Sequence, residues 1–391
     1  MLLLTPSREE NMFKKIRRVY LLWASLAVTF SLNCVDKNPA APWPTIDWQL
    51  SSPAEEGISY DSLREFSDQL KSGNLGYIDG MLVIRNGKII FEDSYENNYD
   101  SLYKATNTEP SQYNYYDSQW HPYYNKTELH TMQSVSKSFT AAAIGIAIKN
   151  GHIESVDVPI KNYLKEYESA FNDKKKQKIT IKDALTMRAG LEWDELSMPY
   201  TDTTSSCVQM EASKDWIQYV LDQPIIYEPG EKWEYSSGVT MLLSKIILEA
   251  TGENVSDYLE KELFNKIGIN NYFWKQTPKG LTDAEGGLYL EPRDLAKFGY
   301  LYLNNGLWDG NKILPKDWVK NNSAELIDTI WPAFKYGQQW WFIPYNKDNI
   351  AWLASGLGGQ RLLIIPEFDI IAVFTGWNVY ETTALSSYLA L

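Results

Sequence analysis

The segment from Ser134 to Asn150, SVSKSFTAAAIGIAIKN, constrains this chain more than any other. After its first turn it is apolar on nearly every face, and Gly151 stops it. A helix without a polar face has to be buried, so other elements must wrap around it. Strand-like runs lie on both sides of it. Gly80 to Glu92, GMLVIRNGKIIFE, holds two apolar runs flanking Asn86-Gly87, a two-residue hairpin signal. Leu353 to Ala354 and Arg361 to Gly376, RLLIIPEFDIIAVFTG, return to strands, with a turn near Pro366-Glu367. Tyr60 to Leu70 carries Leu63, Phe66 and Leu70 at helical spacing. Residues 152–290 read as helices with only short strand candidates. Thr180 to Ala189, Ser213 to Leu221 and Ser237 to Thr251 are three of them, the last closed by Gly252. This order predicts an α/β plus all-α fold: an antiparallel sheet built from both ends of the chain, flanked by helices, with a helical insertion domain. Residues 54–150 and 290–391 form the expected sheet domain, and 151–289 the mainly helical one.

The N-terminus reads differently. Lys14, Lys15, Arg17 and Arg18 precede a short apolar stretch, Val19 to Phe30, which is too short for a comfortable membrane span. Ser31-Leu32-Asn33-Cys34 and a polar, Pro- and Ala-rich stretch follow. Residues 1–33 are expected to be a signal segment of lipoprotein type, with Cys34 lipidated and 34–53 a tether. An ordinary signal peptide or an uncleaved anchor is the other reading, and Met12 is a second candidate start. The expected location is outside the cytoplasm, periplasmic or lipid-anchored in a bacterial envelope. The net charge of −13 argues against nucleic acid as a partner. Asp93 to Asn125 holds eight tyrosines, Trp120 and little aliphatic content. It reads as a long irregular loop, either a substrate wall or a surface insertion.

Three segments carry candidate chemistry. In Ser134-Val135-Ser136-Lys137, residues three apart share a helix face. A serine hydroxyl is a weak nucleophile and needs a base beside it, which Lys137 supplies. The helix N-terminus favours a developing negative charge and opposes protonation of the lysine. The same spacing recurs at Ser101-Leu102-Tyr103-Lys104, in the tyrosine-rich segment with no apolar helix after it, and is read as chance. Tyr235-Ser236-Ser237 ends EPGEKWEYSS and enters the Ser237 helix, where a tyrosine beside a cation can pass protons. Ala354-Ser355-Gly356-Leu357-Gly358-Gly359-Gln360 puts glycines at a strand edge, so that a substrate backbone can approach and a backbone N–H can join that of Ser134 in an oxyanion hole.

Together these segments resemble the serine β-lactamase-related hydrolases, a family that includes class C β-lactamases, D-Ala-D-Ala carboxypeptidases, certain esterases and aminohexanoate-oligomer hydrolases. QSVSKSFTAAAIG, ALTMRAGLEW, PGEKWEYSSGVTMLLSKIILEATG, GGLYLEPRDLAKFGYLYLNNG and GLGGQRLLIIPEFDIIAVFTG all look like their counterparts, in the same order. The resemblance implies a β-lactamase/transpeptidase-like fold and a covalent acyl-enzyme on Ser134, with Lys137 and Tyr235 moving protons. The N–H groups of Ser134 and Leu357 would hold the oxyanion, and Ser237, Ser355, Gly356 and Gly358 would line the substrate. No cofactor is implied, and the substrate would be a small molecule or peptide-like. Departures from the family narrow this. Ala354-Ser355-Gly356 stands where β-lactamases carry Lys-Thr-Gly, Ser237 where many relatives carry Asn, and Leu357 where His is frequent. The lysine that meets a substrate carboxylate is missing, which favours an esterase or amidase. Arg361 either supplies a positive charge there or is solvated.

The rivals are a D-Ala carboxypeptidase or β-lactamase proper, and a catalytically degenerate binder of envelope glycan or peptide. A Ser-His-Asp hydrolase has only His121, His130 and His152 to draw on and no G-x-S-x-G elbow. Those three scattered histidines show no metal-ligand spacing.

Overall fold

The computed structural model describes residues 43–73, 75–106, 115 and 117–379. The expected signal segment, Cys34 and the first part of the expected tether, 34–42, lie outside them. No helix among the described residues is long and apolar enough to cross a membrane.

The hairpin forms where Asn86-Gly87 predicts it. Asn86 and Gly87 both take positive φ, 50° and 73°, the twist that a two-residue turn between strands requires. The large sheet has nine strands: β1 Gln49–Leu50, β2 Ile78–Arg85, β3 Lys88–Ser94, β4 Ile327–Asp328, β5 Lys335–Gly337, β6 Trp340–Pro344, β7 Ile350–Gly356, β8 Gln360–Ile365 and β9 Ile370–Gly376. Their spatial order is β1-β3-β2-β9-β8-β7-β6-β5-β4. The C-terminal strand β9 pairs antiparallel with β2 on one side and β8 on the other, so both ends of the chain do build one sheet. All neighbours run antiparallel except β1 and β3, which are parallel.

The apolar runs of β2, β8 and β9 are continuous rather than alternating because both faces are covered. On one face Met81, Val83, Leu363 and Phe374 pack with Leu63 and Leu70 of helix α1, Tyr60–Lys71. On the other, Leu82, Ile84, Leu362, Ile371 and Val373 join the main core. That core holds helices α2 (Ser136–Lys149), α3 (Ser237–Thr251) and α4 (Pro292–Leu303). Phe139 of α2 stacks on Phe298 of α4, 3.8 Å between ring centres. Ser236 caps α3 by accepting from the Val239 N–H, and Gly252 closes it at φ 78°.

Three expectations are corrected. Residues 43–53 are not tether: Trp48 is buried and β1 pairs with β3. The tyrosine-rich segment is not wholly irregular. It contains a helix over Tyr99–Thr106, and Tyr95, Tyr99, Tyr103 and Tyr115 are buried, since their rings supply the apolar area that the aliphatic residues do not. The second Ser-x-x-Lys copy lies in that helix with Ser101 and Lys104 exposed to solvent. Strands β4 to β6 lie beyond what the sequence reading anticipated.

Candidate active site

Ser134 sits in a tight turn, Gln133–Val135, that runs directly into α2. Gln133 takes φ 47° there. The turn is tied down from several sides. Ser136 Oγ donates to the Gln133 carbonyl at 2.6 Å and accepts from the Leu288 N–H at 3.2 Å. Ser138 Oγ donates to the Gln339 carbonyl at 2.8 Å, and Thr140 Oγ1 to the Ala284 carbonyl at 2.9 Å.

Lys137, one helical turn on, is 1% exposed. Its Nζ lies 2.9 Å from Ser134 Oγ. It also reaches Glu285, whose carbonyl oxygen accepts at 2.8 Å and whose Oε2 accepts at 3.0 Å. The Tyr235 ring centre is 5.3 Å from the same nitrogen. Tyr235 leads into α3 and stacks against Trp341 of β6, 5.7 Å between centres with planes 24° apart. Trp233, Tyr336, Trp331 and Phe334 complete an aromatic wall on that side.

The end of β7 arrives from the other direction. A Cβ on Gly356 would lie 2.3 Å from the Met132 carbonyl oxygen and 3.0 Å from Gln133 Cβ. Only glycine lets the strand end press against the serine turn. Leu357 and Gly358 follow, with Gly358 at φ 84°. Gln360 braces this turn from behind, Nε2 donating to the Leu357 carbonyl at 2.9 Å. Ser355 is buried and pairs across the ladder with Arg361. Arg361 is not solvated: 4% exposed, its Nη1 donates to the Gly356 and Gln360 carbonyls at 2.7 and 2.8 Å. A guanidinium committed to backbone carbonyls stiffens the turn.

Ser237 is placed differently from the substrate-lining position expected of it. It is buried, and both its hydroxyl and its N–H donate to Glu195 at 2.7 Å. Trp193 Nε1 and Tyr200 OH donate to the same carboxylate, each at 2.7 Å. Burial raises Glu195 above the usual carboxylate range, although the nearby Lys137 charge and the Ser237 donors oppose it.

Glu195 is one of four acids, three of them buried and Glu211 half-buried, that the sequence reading missed. Burial pushes Glu285 up, but the Lys137 ammonium pulls it further down, to a net value below the ordinary range. Glu211, on helix Ser206–Ala212, goes the other way: burial and then the Glu285 and Asp283 charges raise it well above. Asp283 rises to about 7, chiefly through burial and then Glu285. Cys207 is a buried free thiol raised well above its usual value by burial and the acids around it. Cys207, Glu211 and Glu285 each place one atom within 4.8 Å of the others. Within this trio Glu285 is also engaged by Lys137, whose Nζ lies 3.0 Å from its Oε2. A signal existed in Asp283-Ala284-Glu285, two acids next to Gly286-Gly287. Glu195 and Glu211 come from separate segments and give none.

His130 is no base for Ser134. Its Nε2 lies 2.9 Å from Asp79 Oδ2 and its Nδ1 3.0 Å from the Thr131 carbonyl, so both ring nitrogens are engaged.

The family model described as Beta-lactamase matches residues 77–377. The chain belongs to the beta-lactamase family. A 6-aminohexanoate-dimer hydrolase of Paenarthrobacter ureafaciens is 25% identical over 277 residues, covering 65% of this chain and 68% of the relative. Penicillin-binding protein 4* of Bacillus subtilis is 23% identical over 269 residues, 65% of this chain and 57% of its own length. Among solved structures, a candidate 6-aminohexanoate-dimer hydrolase from Bacillus anthracis aligns with TM-score 0.66 at 21% identity, over 98% of this chain and 96% of that one. EstCE1, described as a hydrolase with promiscuous acyltransferase activity, aligns with TM-score 0.62 at 15% identity, over 84% of this chain and 96% of that one. This beta-lactamase-family chain thus has the β-lactamase/transpeptidase-like fold, and the relatives named for an activity support a hydrolase.

Proposed function

We propose that this chain is a serine hydrolase that passes through an acyl-enzyme on an ester or amide substrate. The observation that carries the reading is the 2.9 Å contact between Lys137 Nζ and Ser134 Oγ at the head of a buried helix. In the proposed reaction Ser134 Oγ attacks the substrate carbonyl carbon. Its proton passes to Lys137, the carbonyl π pair moves onto oxygen, and the N–H groups of Ser134 and Leu357 hold that oxyanion. Collapse expels the leaving group, protonated through Lys137 and Tyr235, and water then releases the acyl group by the same path in reverse. Ser355, Gly356 and Gly358 would guide the substrate backbone along the β7 edge.

The substrate preference follows from two features. Ala354, in the place of the carboxylate-binding lysine, is buried in the core. The wall around Tyr235 is aromatic. Both favour an uncharged or apolar acyl group over a D-Ala-terminated or penicillin-like one. A fluorophosphonate probe should label the wild-type protein and leave Ser134→Ala unlabelled. A panel of p-nitrophenyl esters, D-amino-acid amides and nitrocefin should show ester or amide turnover well above nitrocefin. Nitrocefin turnover exceeding the rest would favour the β-lactamase or carboxypeptidase reading, and no labelling at all the glycan- or peptide-binding one. Export with lipidation at Cys34 is part of the proposal. Metabolic labelling with a fatty-acid analogue, lost in Cys34→Ser, tests it.

A further inference from the structure

We propose that Glu285 is a positioning residue that aims the Lys137 amine at Ser134 and sets the pH at which that amine becomes a base. This rests on the reading of Ser134 and Lys137 as nucleophile and base.

The argument begins with what each atom around Lys137 Nζ can do. The Glu285 carbonyl oxygen and its ionised carboxylate can only accept, whereas the Ser134 hydroxyl can accept or donate. As an ammonium, Lys137 donates to all three. As a neutral amine it keeps two N–H groups, and the two Glu285 oxygens take both. The lone pair then faces the hydroxyl side of the site, where Ser134 lies. One residue therefore fixes the amine twice, through backbone and side chain, in the orientation that proton transfer from Ser134 needs.

The segment carrying Glu285 is built onto the same helix as the nucleophile. Thr140 of α2 holds the Ala284 carbonyl, and Ser136 of α2 takes the Leu288 N–H. Gly286 N–H donates to Asp283 Oδ1 at 3.2 Å. A Cβ on Gly287 would lie 2.8 Å from Asp283, so the turn has no room for a side chain there. Ser134, Lys137 and Glu285 are thus parts of one braced unit rather than neighbours by chance.

The titratable groups facing Glu285 come from five other places. Lys137 approaches from α2, Tyr115 from the tyrosine-rich segment, Glu211 and Cys207 from helix Ser206–Ala212, Glu195 from the segment before it, and Asp283 from the chain just upstream, with Lys275 beside Asp283 and Glu211. Burial and the neighbouring acids shift Glu211 and Cys207 toward the protonated form, whereas the Lys137 ammonium outweighs burial and shifts Glu285 toward the ionised one. A carboxylate beside an ammonium favours the charged lysine. The amine, and with it the attack by Ser134, then forms only at higher pH than Lys137 alone would allow.

The test measures the second-order rate of fluorophosphonate labelling from pH 5 to 10 in the full chain. For Glu285→Gln, which keeps size and the backbone contact but loses the charge, the acid limb of the profile should move about 1–3 units to lower pH. For Glu285→Asp, which keeps the charge and withdraws it, the limb should stay within about half a unit while the plateau falls roughly 10-fold. A Gln profile with its limb at the wild-type pH overturns the proposal. So does an Asp plateau equal to wild type, and that arm stands even if the Gln variant does not fold. Labelling that persists in Ser134→Ala would instead sink the reading of the nucleophile, which keeps the two failures apart.

Discussion

The two sides of Ser134 are built from opposite materials. On the Lys137 side lie Glu285, Glu211, Asp283 and Glu195, four acids whose protons and charges are interdependent. On the Tyr235 side lie Trp233, Trp341, Trp331 and Tyr336, rings that meet edge to face, stacked or tilted. The charged side decides whether a proton can move. The aromatic side decides where Tyr235 sits and what an acyl group meets. Charge couples over several ångströms in a low-dielectric interior, so changes on the first side should register as pH effects. Ring packing is short-ranged, so changes on the second should register as stability and substrate choice.

The largest expected effect is common to both sides. Ser134→Ala should lower ester turnover by on the order of 10⁴-fold or more, with the fold intact by circular dichroism. Lys137→Met should cost about 10³-fold in kcat at a fixed pH. It should also lower the melting temperature, because Glu285 would be left buried without its ammonium. Trp341→Ala should cost about 10-fold in kcat/KM and ~3–5 kcal/mol of stability in urea melts, as truncating a buried tryptophan does. Its kcat/KM profile should keep the wild-type pH limb, and a shifted limb would break the division between the two sides.

The smallest effect is at Asp283. Its folded value of about 7 lies above the ~4 of an unfolded aspartate, so the folded chain holds the proton more tightly between those values. Stability should therefore fall as pH rises through roughly 4 to 7. Asp283→Asn, which cannot ionise, should melt roughly 2 °C above wild type at pH 8 and level with it at pH 4.

The sequence was most readable where one local rule decides the structure. Asn86-Gly87 makes a turn of one kind, an all-apolar run after Ser134 must be interior, and Gly252 ends α3 where it stands. Those elements place Ser134, Lys137 and Tyr235 together. Strands β4 to β6 escaped because they are two, three and five residues long, and β6 opens with three successive aromatics, so no period shows. The acids escaped for a different reason. Residues 195, 211 and 283–285 are brought together by folding alone, and nothing in the spacing of single glutamates marks a buried one. The inward turn of Arg361 was equally hidden, since it donates to the backbone carbonyls at 356 and 360, which carry no sequence signature.

The place of β9 has a consequence for how the chain comes to be folded. It lies between the hairpin β2–β3 and the strands β8 to β4, and among the described residues no other strand joins those two halves. Residues 370–376 are made long after residues 78–94. During synthesis the hairpin therefore waits with one edge unsatisfied for almost three hundred residues, while α2 has no finished sheet to be buried against. Such an intermediate exposes the surfaces that invite aggregation. The chain thus depends on a late, long-range closure, and truncation ahead of Ile370 should leave no stable half behind.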